Sequence, residues 1–139
     1  MKSVKGWLYM SDLCNKAIRD IKTVEWAKSQ LGTDEDFMDI ACYHTEQAIE
    51  KLLKFIIELS GEDYPKIHDI TRLCAIIEKM PNITLSDNLI MMSETLTLWE
   101  ATSRYRDIFK AIVRQLDIAE KIFEELLSIV ERLISKSEN

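Results

Sequence analysis

The residues that interrupt helices are scarce in this chain, and their placement limits what it can fold into. It has three glycines and two prolines in 139 residues. Gly32, Gly61, Pro65 and Pro81 fall between long stretches in which apolar residues recur every three or four positions. Few breakers mean few turns, and hence few, long elements. The three-four spacing is that of an amphipathic helix, and no stretch alternates as a strand would. Trp7, Met10, Cys14, Ala17, Ile21, Val24 and Leu31 share one face of a first helix from about Ser3 to Leu31, with Lys28 the polar exception. Gly32 ends it, because glycine accepts the left-handed conformation past a helix terminus. Thr33 with Asp36 resembles a capping box for the second helix, with Asp replacing the usual Glu or Gln. Asp34, Glu35 and Asp36 add negative charge where the helix dipole favours it.

The second helix runs to Ser60 with Phe37, Ile40, Ala41, His44, Ala48, Leu52, Phe55, Ile56 and Leu59 as its stripe. Gly61 stops it. After a polar turn, Asp69 caps a shorter third helix that Pro81 terminates. Ser86 caps a fourth helix reaching about Trp99, Ala101–Phe109 reads as partly irregular, and a last helix begins near Lys110. The expectation is an all-α, up-and-down bundle of four long helices and one shorter one, forming one domain over residues 1–139. Trp7 and Trp26 lie on different faces of helix one, and Leu53 and Ile57 lie outside the stripe of helix two. That surplus of apolar surface predicts a second buried face, and so a homodimer.

The formal charge is −6. An acidic surface argues against broad, sequence-independent binding to nucleic acid and leaves room only for a small basic cleft. Cys14, Cys42 and Cys74 sit far apart in apolar periodic segments, without the clustered spacing of a zinc site, and read as buried, reduced thiols. No cofactor is expected. The N-terminal MKSVKGWLYMSDLCNK has no long apolar run after its lysines, and no stretch approaches the ~20 residues of a membrane span. A cytoplasmic protein is expected.

Both histidines lie within Ala41–Leu73. His44, Gln47 and Lys51 follow at steps of three and four, so they share a face. Gln47 and Lys51 there can meet a base edge and a phosphate. Alternatively, His44 and Gln47 bond between helices while Lys51 extends its stem to solvent. His68 and Arg72 are also four apart: an acid or base beside an anion holder, or a histidine bonded to backbone with an exposed arginine. Arg104, Tyr105, Arg106 and Asp107 place two guanidinium forks beside an aromatic, which can grip phosphate and stack on a base. Equally, Asp107 caps the last helix or pairs with the arginines. No P-loop, dinucleotide-binding glycine pattern or nucleophile elbow occurs.

Taken in order, these segments resemble a HEPN domain (higher eukaryotes and prokaryotes nucleotide-binding). WLYMSDLCNKAIRDIKTVEWA resembles its first helix, and ACYHTEQAIEKLLKFIIELSG its aromatic-His line with Q-A-x-E-K and a glycine stop. PKIHDITRL resembles the Pro-x-x-His-Asp-Leu start of its third helix, SRYRD the Arg-Tyr-Pro-Asp before the last helix, and IAEKIF its Ala-Glu start. The resemblance implies an all-α bundle that usually dimerises. Family members include metal-independent ribonucleases with an Arg-x4-6-His motif, partners of minimal nucleotidyltransferases in toxin–antitoxin systems, and nucleotide-binding or inactive modules. In this chain no arginine is followed by histidine at that spacing, and Arg106 replaces the usual proline. The expectation is a module that binds a nucleotide, RNA or a protein partner, a nucleotidyltransferase among the candidate partners. Its ligand residues would be Gln47, Lys51, His68, Arg72, Arg104, Tyr105 and Arg106. The alternative is a metal-independent ribonuclease in which folding joins His68 to Arg104.

Overall fold

The computed structural model describes residues 12–34, 36–101 and 109–137. Five helices account for most of them: α1 (Asp12–Ser29), α2 (Phe37–Leu59), α3 (Ile70–Glu78), α4 (Asp87–Ala101) and α5 (Phe109–Ser137). No strand occurs among the described residues, and α3 is the short helix. The bundle predicted from periodicity is therefore the observed architecture. Trp7 and Met10, assigned to the first helix, lie outside the described residues.

Helix α2 is the axis of the fold and packs against all four others. Its sequence explains why. Ile49, Leu52, Leu53, Phe55, Ile56 and Ile57 are all buried, so its C-terminal half is apolar over most of its circumference, with Glu50, Lys51, Lys54 and Glu58 gathered on the remaining side. A helix with so wide an apolar arc belongs largely inside a core. Leu53 and Ile57 are each 0% exposed within the single chain. The second apolar surface inferred from the sequence is thus covered by the chain's own helices, and the argument for a dimer from these two residues fails. A stripe plus extra apolar positions reads the same whether neighbouring helices or a second copy cover them.

The helix ends show which local signals hold. At the end of α2, Gly61 adopts φ +88°. Its N–H donates to the Glu58 carbonyl (3.0 Å) and that of Glu62 to the Ile57 carbonyl (3.3 Å). This is the paired bonding of a Schellman stop, and it needs a residue tolerant of the left-handed region. Asp69 caps α3, its carboxylate accepting the Arg72 N–H at 3.1 Å. Ser86 caps α4, accepting from Leu89 N–H at 3.2 Å. The predicted capping box at α2 does not form. The Thr33 hydroxyl donates back to the Gln30 carbonyl (2.7 Å), and Asp36 makes no side-chain cap bond. Thr33 closes the preceding helix instead of opening the next.

Nine residues make a marginal helix alone, and α3 is held by its neighbours. The Ile70 N–H, an orphan donor of the first turn, donates to the Thr97 hydroxyl of α4 (3.1 Å). Thr71 donates to Ser93 of the same helix (3.1 Å). These bonds fix where His68 and Asp69 leave the loop. Lys28, the polar exception on the first helix, joins α1 to α5 by ion pairs of 2.8 Å to both Asp117 and Glu120. Burial pulls this ammonium's pKa down, and the bonds to the two carboxylates outweigh it, leaving the value raised.

Two outcomes follow from this packing. Leu53→Ala and Ile57→Ala should each destabilise the fold by about 2–5 kcal/mol in urea unfolding, the cost of a core cavity. Residues at a dimer interface would instead lower the sedimentation mass and leave the isolated chain's stability nearly unchanged. The thiols set the alkaline limit. Burial, aided by nearby carboxylates, pushes Cys14 up to about 11 and Cys42 and Cys74 to about 12. The unfolded chain ionises these thiols first, so their contribution is complete below about pH 9 and is lost as pH climbs toward those values. The urea midpoint should stay level from pH 7 to about pH 9 and fall above it; a rise there would contradict the buried thiols.

Candidate functional site

The polar residues of α2 lie where α1 and the loop before α3 pass over it. Asp20 of α1 is the first anchor. It is 8% exposed and faces α2. Its Oδ1 meets His44 Nδ1 at 2.8 Å, and its Oδ2 accepts from the Lys51 ammonium. The carboxylate only accepts, so His44 Nδ1 carries the hydrogen. The second anchor is Glu50, 2% exposed. It accepts from Lys54 Nζ at 3.2 Å and from His68 Nδ1 at 3.0 Å. Lys54 also lies over the Tyr64 ring, 5.8 Å from its centroid, where the ring face attracts a cation. Gln47 Nε2 donates to the neighbouring Glu46 carboxylate at 2.8 Å.

Gln47, Glu50, Lys51, Lys54, Tyr64 and His68 border a cavity of about 360 Å³. The start of α1 supplies Asp12, Leu13 and Lys16; α2 supplies Gln47, Glu50, Lys51, Lys54 and Glu58; the loop supplies Tyr64 and His68. The volume lies at the lower end of the range for small-molecule sites, with polar groups converging from three elements. A second cavity of about 360 Å³ lies where Thr84–Leu89 meets α5, with Leu85, Leu126 and Ile129 among its lining and none of the candidate residues.

Three sequence-predicted residues, Gln47, Lys51 and His68, thus line one cavity. Arg72 does not; it sits exposed in the first turn of α3, its backbone N–H capped by Asp69. Arg104, Tyr105 and Arg106 lie outside the described residues. His44 bonds between helices, as its spacing allowed, but Lys51 does not reach for solvent and instead holds Asp20. His68 bonds a carboxylate rather than backbone.

Sequence reasoning missed Asp20, Lys54, Tyr64 and the pairing role of Glu50. A signal for Asp20 was present. It stands three positions after Ala17 and four before Val24, so it is a charge on an apolar stripe. Such a residue needs a cation opposite, and α2 offers His44 and Lys51, two turns apart on one face.

The pairs have a physical consequence. Removing one partner of a buried ion pair costs about 3–5 kcal/mol, because the other charge stays buried alone. Lys51 and Lys54 are therefore held more firmly than surface lysines. Lys16 differs: its 3.1 Å pair with Asp12 spans one turn at the surface, with both side chains more than half exposed. Such pairs contribute little.

Comparison with known proteins gives a match to the family model described as HEPN domain, over residues 10–139. No curated protein and no solved structure matches the chain.

Proposed function

The chain belongs to the HEPN domain family, and from that premise we propose that it is a binding module holding a nucleotide or RNA end in the cleft of Gln47, Lys51 and His68. The observation that carries this reading is the convergence of these three residues, from a helix and the following loop, on one cavity. Beyond its bond to Glu46, the Gln47 side chain keeps an amide oxygen and one N–H donor, the complement of a base edge. Tyr64 adds an aromatic ring of the kind on which bases stack. Arg104, Tyr105 and Arg106 enter the reading from the sequence alone, as charge-assisted contacts to strand phosphates. A minimal nucleotidyltransferase is the partner protein that the family setting suggests, in a toxin–antitoxin context; a neighbouring gene encoding one would support that assignment.

Binding is favoured over cleavage because the sequence has no Arg-x4-6-His motif. The test is purified protein with labelled RNA and with AMP, with and without added metal, assayed for both retention and cleavage. Retention without cleavage is expected. Gln47→Ala should weaken it about two- to tenfold, the worth of one or two hydrogen bonds, with the helical signal unchanged. Metal-independent cleavage that disappears in His68→Ala would replace this reading with the ribonuclease one.

The module acts as a homodimer in this proposal. Met91 is 81% exposed and Leu98 is 61% exposed, two turns apart on α4 with Ile90 beside them, and this apolar surface is available to a second copy. Sedimentation should give twice 16.2 kDa, and Met91→Glu combined with Leu98→Glu should return it to 16.2 kDa. A wild-type mass of 16.2 kDa at high micromolar concentration would remove the dimer from the proposal.

A further inference from the structure

Charge around the cleft is balanced, and most of it is already committed. Lys16, Lys51 and Lys54 face Asp12, Glu50 and Glu58 around the cavity. Lys51 is bonded to Asp20, which stands behind the wall, and Lys54 to Glu50 at 3.2 Å; both of these carboxylates are buried. His68 directs Nδ1 at the same Glu50. Lys16 pairs with Asp12 at 3.1 Å. Glu58 is exposed and has no cation partner among the described residues.

We propose that the cleft selects the unphosphorylated end of its ligand, a nucleoside or the hydroxyl-terminated nucleoside of a strand, and that Glu58 is the residue that disfavours phosphate. This narrows the nucleotide-or-RNA reading above and rests on it. A phosphate can gain Lys51 or Lys54 only by drawing the ammonium away from Asp20 or Glu50. That leaves a buried carboxylate short of a cation, and the loss outweighs a new charge-assisted contact. Lys16 is the one lysine released cheaply, because its pair is a surface pair. The uncompensated Glu58 carboxylate on the same cavity offsets it. A phosphate therefore enters a wall with no net positive charge, on a protein whose formal charge is −6. A nucleoside needs no cation: it asks for donors, acceptors and an aromatic surface, which the Gln47 amide oxygen and the N–H it does not donate to Glu46, together with the Tyr64 ring, supply.

The experiment titrates the intact protein with the four ribonucleosides, their 5′-monophosphates and their 5′-triphosphates, followed by chemical shifts of labelled protein. At least one nucleoside should bind, its monophosphate about tenfold more weakly, and its triphosphate more weakly again, as like-charge repulsion requires. Added salt should narrow the gap by screening, the reverse of a site that grips phosphate. Glu58→Gln should shrink the ratio of nucleoside to monophosphate affinity, and Glu58→Lys should invert it. Residue 58 is exposed on the last turns of α2, and circular dichroism of both variants verifies that they fold. A phosphorylated form that binds more tightly than its nucleoside overturns this inference and leaves the binding reading standing. Glu58 variants with an unchanged ratio overturn the role of that residue. Failure of all twelve compounds and of RNA to bind removes the cleft reading and this inference together.

Discussion

Helix α2 has to bury charge. It is the element that all others touch, so several of its polar residues cannot turn to water as those of a surface helix do. Glu46, Glu50 and Lys54 are each less than a tenth exposed. A buried charge is tolerated only when matched and hydrogen-bonded. Glu50 takes Lys54 from its own helix and His68 from the following loop. That second bond draws the loop back across α2 after the turn at Gly61. Asp20 works in the other direction, a carboxylate of α1 received by His44 and Lys51. The placement of α1, the path of the loop and the walls of the cleft all follow from satisfying these two carboxylates.

The fold was legible because its signals are local and redundant. Periodicity gave the helices, and Gly61, Asp69 and Ser86 gave their ends within a residue or two. Each of those residues acts on backbone groups three or four positions away, so no knowledge of the tertiary structure is needed. Thr33 misled because two helix ends lie close to it. Its hydroxyl had a carbonyl behind it at Gln30 and an N–H ahead, and the pattern alone does not rank them. Leu53 and Ile57 misled for a different reason. Their burial was foreseen, but what covers them is decided by the packing of four other helices.

The site was legible in part. Gln47 and Lys51, placed on a shared helix face, line the cavity, and so does His68, although the spacing to Arg72 that singled it out does not join those two. Lys54 and Tyr64 were missed because their roles depend on the loop folding back, which sequence spacing does not encode. Arg72 shows the converse error. It is four residues from His68, but His68 precedes the helix and Asp69 between them is extended, so the helical rule for shared faces does not join them.

These ion pairs also limit what the cleft can recognise. A lysine that closes a buried carboxylate is part of the fold, and a ligand must outbid that carboxylate to use it. Counting Lys16, Lys51, Lys54 and His68 as a basic cluster would predict a phosphate site. Counting their partners removes most of that charge: two lysines and a histidine are held on Asp20 and Glu50, and the loosely held Lys16 faces Glu58. Geometry then matters more than charge. What stays available along α2 and the loop is the amide oxygen and second N–H of Gln47, an aromatic ring at Tyr64 and a carboxylate at Glu58, a set suited to the neutral, hydrogen-bonding face of a nucleoside. The same charge that α2 buries at the centre of the bundle therefore biases its cleft away from anions.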